Sequence, residues 1–202
     1  MSGLTVDRER AQVSGPDEEI RALIAGDEPV VLEPRLLADG VRAARSPVAR
    51  FRVTGLPEPL EAVADQHAAA LLIPLGGLRT ALRACTPSGL LGLLVRALAL
   101  RPRPRIVAEP LTVPAERMAR MLAGSDREPG LLREHLEALA GHWRIEAYGS
   151  GTGWYLEVLD SERGLWTVED TGDGLLTLTP TSATAVLDEL AALPGHVGLG
   201  PS

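Results

Sequence analysis

The sequence predicts an α+β fold built from two quasi-symmetric halves, each a short antiparallel sheet with helices packed on one face. We expect the two sheets to join into one continuous central sheet. Short segments that alternate between apolar and polar residues, separated by turns rich in Gly and Asp, indicate the strands. Apolar residues at helical spacing indicate the helices, and the order strand, helix, strands, helix occurs twice along the chain.

These patterns divide the chain into five segments. Arg101–Arg105 marks the boundary between the halves, because two prolines in this short stretch exclude a helix and the arginines favour a solvated linker. Met1–Gly15 is polar and lacks periodicity, so we expect it to be disordered. The predicted segments are an amino-terminal arm with one short helix (1–28), the first half (29–100), the linker (101–108), the second half (109–195) and a frayed tail (196–202).

The boundaries of the individual elements follow from capping and turn residues. Thr86 is a candidate N-cap, and Pro87 suits the first position of the apolar helix that follows. Up to the linker, the predicted elements are helices at Asp17–Ala25, Pro34–Arg45 and Ser88–Leu100 and strands at Val30–Leu32, Arg50–Thr54, Ala70–Leu75 and Leu78–Cys85. Beyond it, they are strands at Leu111–Val113, Trp143–Tyr148, Trp154–Leu159, Gly164–Glu169 and Leu175–Thr179 and helices at Ala115–Ala123, Leu131–Ala140 and Ser182–Leu193.

Three pairs of matching segments indicate an internal repeat. The matches are Glu28–Leu32 with Glu109–Val113, Phe51–Val53 with Trp143–Ile145, and Cys85–Ser88 with Leu178–Thr181. They occur in the same order in both halves, with an insertion in the second half that supplies its extra helix. We therefore interpret the chain as a duplicated unit whose halves are related by a pseudo-twofold axis.

Composition and charge exclude several classes of protein. The chain has 202 residues and a net charge of −7, which argues against nucleic-acid binding. All 20 basic residues are arginine, and Cys85 is the only cysteine, which excludes an internal disulfide and a thiolate metal cluster. The longest apolar run, Gly89–Leu100, is interrupted by Arg96 and is too short to cross a bilayer. Because the first residues also lack a signal-peptide pattern, we predict a cytoplasmic protein without membrane insertion.

No catalytic or ligand-binding pattern emerges from the sequence. Cys85 precedes a helix, but its match to Leu178 favours a buried structural cysteine over a reactive one. The four histidines lack metal-ligand spacing, and surface or helix-end positions are expected for them. Gly149–Gly153 joins two strands and is interpreted as a hairpin loop, and the aspartates of Asp170–Gly174 as turn residues. Four other carboxylates have no assigned role, and we expect them on the solvent-exposed face of the sheet. They are Glu157, Asp160, Glu169 and Asp170. We predict no enzyme activity, cofactor or metal.

Two features favour a protein partner instead. The helix predicted at Ser88–Leu100 is apolar on nearly all sides, so one sheet cannot cover it completely. Its candidate contact residues are Leu91, Leu94 and Leu98, with burial inside the monomer as the alternative. Trp154 and Tyr155 are neighbours on a strand and must point to opposite faces of the sheet. Both are candidate partner-binding residues, with core packing as the alternative for each.

The second half also carries a family resemblance. The segments concerned are Trp143–Ala147, Leu156–Asp160, Gly164–Glu169 and Leu175–Thr181 with the helix that follows, and more weakly Gly89–Pro104. In these segments the chain resembles the EspG family of actinobacterial type VII (ESX) secretion. The resemblance implies a mixed α/β fold of two quasi-symmetric halves. It also implies a cytosolic chaperone that holds a PE–PPE secretion substrate before export and needs no cofactor. The chain is shorter than usual for the family and has a polar arm in place of the amino-terminal strand and helix.

The predicted function is therefore an EspG-like chaperone or adaptor that binds a protein partner. Two other hypotheses stay open. One is a homo-oligomeric scaffold protein of the same fold, whose apolar helix forms a homodimer interface. The other is an enzyme whose site the sequence does not reveal.

Overall fold

A computed structural model describes residues 3–26, 32–125, 130–149 and 151–199. Within these ranges, eleven strands form one sheet and six helices pack on it. The strands are β1 Thr5–Asp7, β2 Gln12–Pro16, β3 Ala49–Thr54, β4 Leu60–Ala64, β5 Ala69–Gly76, β6 Arg79–Cys85, β7 Leu111–Pro114, β8 Leu139–Gly149, β9 Thr152–Ser161, β10 Gly164–Asp170 and β11 Leu175–Thr181. The helices are α1 Asp17–Ala25, α2 Arg35–Arg45, α3 Pro87–Ala97, α4 Ala115–Leu122, α5 Leu131–Glu137 and α6 Ala183–His196.

The predicted continuous antiparallel sheet is confirmed. Its strand order is β1-β2-β6-β5-β4-β3-β8-β9-β10-β11-β7, so the two halves meet where β3 pairs with β8. There Phe51 lies opposite Ala147, and Arg52 lies opposite Glu146. Within the described residues, β2 to α3 and β7 to α6 follow the same order: a strand, two helices, four strands and a helix. An internal repeat in the sequence stays a prediction.

One core lies on the face of the sheet that α3 and α6 cover, which we call the closed face. Alternate residues of the central strands point into it, among them Phe51 and Val53 of β3 and Trp143 and Ile145 of β8. The helices contribute leucines, including Leu94 of α3 and Leu190 of α6. A strand buries every second side chain on one face, and the period-2 pattern of β3 and β8 fits this arrangement.

Helices also cover both ends of the opposite face, whereas the sequence predicted helices on one face of each half. There α1 and α2 bury Leu82 of β6 beneath Leu37, and α4 and α5 bury Trp166 of β10 beside Met118. The physical reason is that the outer strands carry consecutive apolar residues. In β5, for example, Ala70 enters the α1–α2 core and Leu71 enters the closed-face core. Strands with both faces apolar must be covered on both sides.

The amino-terminal segment is ordered, so the prediction of a disordered Met1–Gly15 is wrong for its described part. Residues Thr5–Asp7 form β1, and β2 pairs along β6 with Val13 fully buried opposite Leu82. The segment lacks obvious periodicity because small residues fill its inward positions. In the first half, β2 holds the place that β7 holds in the second. The strand predicted at Val30–Leu32 is not its counterpart: Val30 and Val31 lie outside the described residues, and Leu32 belongs to no strand.

Helix starts follow the capping residues, but other boundaries differ from the prediction. Thr86 caps α3 as predicted, its Oγ1 accepting a hydrogen bond from the Gly89 N–H at 3.2 Å. The N-cap of α6 is Ser182, whereas Thr179 and Pro180 lie inside β11. α3 is shorter than predicted, α5 ends at Glu137 because β8 begins earlier, and β4 was not predicted.

The carboxy-terminal end packs against the closed-face core rather than fraying. α6 continues through Pro194 to His196, and Val197 and Leu199 are buried beyond it. The predicted frayed tail is therefore wrong for residues up to Leu199, and residues 200–202 lie outside the described ranges.

The linker is exposed at most of its positions, as predicted, but Arg103 anchors it to the second half. The Arg103 Nε donates a hydrogen bond to the Asp160 Oδ1 at 2.6 Å, and these side chains are only 18% and 6% exposed. This hydrogen bond raises the pKa of Arg103 further above its already high value. Ile106 packs over Gly164, at the turn between β9 and β10, so closely that a Cβ on that glycine would overlap it. The linker thus follows a fixed path along this end of the sheet.

Gly55→Ala should lower the free energy of unfolding by about 3 kcal/mol or more, because a methyl group would overlap the backbone of a neighbouring strand. Gly55 has φ +84°, and its Cβ would meet the carbonyl oxygen of His142 and lie 2.8 Å from the Trp143 Cα. Gly77→Ala is the matched control, since Gly77 has φ +60° but open space around its Cβ. It should cost only about 1 kcal/mol from backbone strain. Urea unfolding measures both, and equal losses would contradict the steric explanation.

Arg103→Met should lower the free energy of unfolding by about 3 kcal/mol, because it leaves the buried Asp160 carboxylate without a cation. Asp160→Leu should cost less, because the Arg103 guanidinium lies in a surface segment and can turn towards water. The double variant should recover part of the loss. Urea unfolding of the three variants forms a double-mutant cycle, and strictly additive effects would show that the pair is not coupled.

Candidate functional site

The central strands leave a polar surface between the two outer cores, which we call the open face. Among the described residues, β3 and β8 contribute no apolar side chain to those cores except Leu139. The side chains of the open face come mainly from alternate positions of three adjacent strands: Arg50, Arg52 and Thr54 of β3, His142, Arg144, Glu146 and Tyr148 of β8, and Tyr155 and Glu157 of β9; the exposed Glu61 of β4 lies opposite Arg52. With helices at both ends, the surface can receive a segment of another protein.

The β8–β9 side of the open face is a connected polar network. Arg144 forms ion pairs with Glu146 (Nε to Oε1, 3.0 Å) and Glu157 (Nη1 to Oε2, 3.4 Å). His142 Nε2 lies 2.7 Å from the other oxygen of Glu157, and the Tyr148 hydroxyl donates a hydrogen bond to Glu146 at 3.2 Å. The Arg144 guanidinium also lies 4.3 Å from the ring centre of Tyr155, a cation–π contact. Among the described residues, the Arg144 Nε is buried and makes no hydrogen bond, so its contact with Glu146 is an ion pair only.

The β3 side of the open face is different. Arg50 and Arg52 are exposed, and neither forms an ion pair within the described part of the chain. Neither arginine was predicted as a functional residue from the sequence, and of the network beside them only Tyr155 and Glu157 were named individually there. The signal was present in the alternation of Arg50–Thr54 and Trp143–Tyr148, which places the charged residues of both strands on one face.

Trp154 and Tyr155 lie on opposite faces, as their positions on one strand require. Trp154 packs against the closed-face core, with its ring stacked on His196 at 5.3 Å between centres. Tyr155 belongs to the open face, and its hydroxyl accepts a hydrogen bond from the Asp170 N–H at 3.1 Å. Of the two, only Tyr155 contributes to the surface described above.

The three leucines predicted on the apolar helix differ in burial. Leu94 and Leu98 are buried in the closed-face core, which corresponds to the alternative of burial inside the monomer. Leu91 is half-buried in a groove of about 460 Å³ between α3 and α6. None of the described residues that line the groove is charged. They are Pro87, Ser88, Leu90, Leu91, Leu94, Leu190, Ala191, Ala192, Leu193, Pro194, Gly195 and Leu199. It is a second candidate surface for a protein contact.

The titratable groups considered for chemistry do not assemble into a reaction centre. Burial raises the pKa of the Cys85 thiol to about 11 although Arg83 opposes the shift, so the thiol stays protonated at neutral pH. Glu157 points to the open face, whereas Asp160 is buried on the other side of β9 against Arg103, so the two are not an acid–base pair. The sequence predicted that Asp160 lies on the solvated face of the sheet, and this prediction is wrong. Asp173 accepts hydrogen bonds from Thr171 and Leu175, which lower its pKa and account for it as a turn residue.

His135 is a buried exception among the histidines. The sequence placed it on a solvated helix face, but its side chain lies edge-on against Trp166, with 5.3 Å between ring centres, and is 5% exposed. Within the described residues, its Nδ1 has no hydrogen-bond partner. Burial is the main cause that lowers the pKa of His135, the positive charge of Arg163 lowers it further, and Glu134 opposes them.

Two further properties concern the described ranges only. They contain no group of three or more His, Cys, Asp or Glu side chains placed to hold a metal ion. None of the helices there has the length and apolar character needed to cross a membrane.

The chain is similar to known proteins in structure but not in sequence. No protein-family model matches the chain, and no curated protein matches its sequence. Among solved structures, the fold is similar to that of the Mycobacterium tuberculosis type VII secretion system chaperone EspG5 in complex with a PE25–PPE41 dimer. The TM-score is 0.52 and the sequence identity 12%, over 95% of this chain and 98% of that chain. At this identity the likeness shows the fold: a mixed α and β architecture around a large antiparallel sheet.

The stability of the protein should decrease below about pH 6.5, because the unfolded chain then binds a proton at His135 that the folded chain does not. The folded pKa of His135 is depressed, so the stabilisation is complete above the unfolded pKa and is lost as the pH falls. The contribution can reach about 1.4 kcal/mol per pH unit. His135→Phe should remove it, whereas the exposed His67→Gln should not. Urea unfolding at pH 7.5 and pH 5.5 tests this, and an unchanged pH dependence in His135→Phe would contradict it.

Proposed function

We propose that this chain is a non-enzymatic chaperone or adaptor of type VII secretion that binds a protein partner in the cytoplasm. The partner class we propose is a PE–PPE-type helical secretion substrate. The observation that carries the proposal is the fold likeness to a chaperone of this system over almost the full length of both chains. That chaperone is described in complex with a PE–PPE dimer.

The arrangement of the open face supports binding of a protein segment. A sheet surface about three strands wide, with helices on either side, matches the dimensions of a helix or an extended segment of a partner. Arginine and tyrosine, which are enriched among residues that dominate protein interfaces, are both present there in Arg50, Arg52 and Tyr148. Of the partner-binding residues predicted from sequence, Tyr155 lies on this face with its ring against the Arg144 guanidinium, and Leu91 lines the groove between α3 and α6.

The proposal is tested by co-expression with PE–PPE pairs encoded in the genome that carries this chain. We expect an equimolar complex by size exclusion with light scattering, with a dissociation constant of about 1 µM or below. The chain should also keep the substrate soluble when the co-expressed pair alone aggregates. No complex with any such pair at concentrations well above this value would overturn the proposal.

A homo-oligomeric scaffold is the second candidate, and the uncharged groove between α3 and α6 favours it. In a symmetric dimer this groove could be buried without removing any charge from water. Leu91→Asp would place a charge in the groove, and Leu187→Asp, at an exposed leucine of α6 outside the groove lining, is the matched control. The scaffold candidate requires a wild-type dimer that Leu91→Asp dissociates and Leu187→Asp does not. A monomeric wild type excludes it.

A further inference from the structure

The open face divides into a side whose charges are paired and a side whose charges are not. Arg144 is held by two carboxylates and by the ring of Tyr155, so the β8–β9 side has little to offer a ligand. Arg50 is exposed and has no ion pair within the described residues. Its neighbours across the sheet are Val63 and Tyr148, neither of which is acidic. Other exposed arginines of the described chain, such as Arg52 and Arg101, also form no ion pair there, so the surroundings of Arg50 decide what it can bind.

Arg50 borders a shallow depression of about 470 Å³ at the end of the open face. Two of the exposed large hydrophobic side chains of the described chain line it: Val48, 40% exposed, and Tyr148, 52% exposed. Gly151 and Gly153 also line it, and neither of these two residues carries a side chain. We call Val48, Arg50 and Tyr148 the arginine patch.

We infer that the arginine patch binds an acidic side chain of the protein partner, with an apolar partner residue against Val48 and Tyr148; this inference rests on the proposed function. A guanidinium recognises a carboxylate with two parallel N–H···O hydrogen bonds, and the flanking apolar surface excludes water from that contact. The Tyr148 hydroxyl is already bonded to Glu146, so the ring is held in place.

The surroundings favour a protein carboxylate over other anions. A lipid surface would need several cations to overcome the repulsion of a chain with net charge −7, and the patch has a single unpaired arginine, with Arg52 farther along β3. Phosphate sites in proteins usually combine cations with a helix amino terminus or a cluster of backbone N–H groups, whereas Arg50 is the second residue of β3, a strand that pairs with β4 and β8 on its two sides. A polypeptide can place a carboxylate against the guanidinium and an apolar side chain against Val48 and Tyr148 at the same time.

The test measures the dissociation constant of the complex with a co-expressed PE–PPE pair by isothermal titration calorimetry. Arg50→Gln should weaken binding about tenfold or more, because a charged hydrogen-bonded contact is lost. Arg50→Lys should recover only part of the affinity, and raising the salt concentration should weaken the wild type more than Arg50→Gln. Arg101→Gln, at an exposed arginine of the linker, is the matched control and should stay within about twofold.

Each outcome decides between distinct conclusions. If the wild type binds and Arg50→Gln binds equally well, the arginine patch is not the contact and the proposed function stands. If the wild type forms no complex, the proposed function fails and this inference fails with it. Inorganic phosphate and vesicles containing phosphatidylserine serve as probes of the other anions, with protein NMR signals near Arg50 as the readout. Binding of either probe that Arg50→Gln abolishes, without an effect of Arg50→Gln on the complex, would assign the patch to a different anion.

Discussion

The pairing of β3 with β8 is the interaction on which the rest of the structure depends. It joins the two halves into one sheet and sets the register in which Phe51 faces Ala147 and Val53 faces Ile145. All four side chains then enter the closed-face core beneath α3 and α6. Because side chains alternate along a strand, the same register exposes Arg50 and Arg52 on the opposite surface. A shift by one residue would bury both arginines and expose Phe51, so the core and the open face are fixed together.

Strand composition explains why helices cover the ends of the sheet and not its middle. β5 and β10 carry apolar residues at consecutive positions, such as Leu165 and Trp166, which enter different cores. β3 and β8 alternate and need cover on one side only. The helix pairs α1–α2 and α4–α5 therefore lie over the outer strands, and the central strands keep a solvated face. The open face is a consequence of the same sequence pattern that builds the closed-face core.

Much of the fold could be predicted from the sequence, because most elements carry local signals. The cap at Thr86, the helix at Asp17–Ala25 and the alternating strands are recognisable from a few residues each. Contacts between distant segments could not be predicted in the same way. β2 has a weak pattern and is held by pairing with β6, and the linker is held by the ion pair of Arg103 with Asp160. His135 is buried against Trp166, and this contact cannot be predicted from the residues next to His135 in the sequence.

The candidate site was harder to predict than the fold for a related reason. Sequence reasoning selected large apolar and aromatic residues, and the fold uses Leu94, Leu98 and Trp154 largely for its own core. What distinguishes the open face is which charges have partners, and that depends on pairing across strands. Glu157 is engaged by His142 and Arg144, whereas Arg50 has only apolar and aromatic neighbours across the sheet.

The two candidate surfaces imply different lifetimes for a complex. The groove between α3 and α6 is uncharged, and burying such a surface gives an association that depends weakly on salt and resembles the permanent interface of an oligomer. The open face offers an arginine and a few apolar contacts, a small contact area that favours a complex that can be released. A chaperone must hand its substrate on to the next component of a pathway. Under the proposed function, the open face is therefore better suited to hold the substrate, and the groove to join copies of the chain.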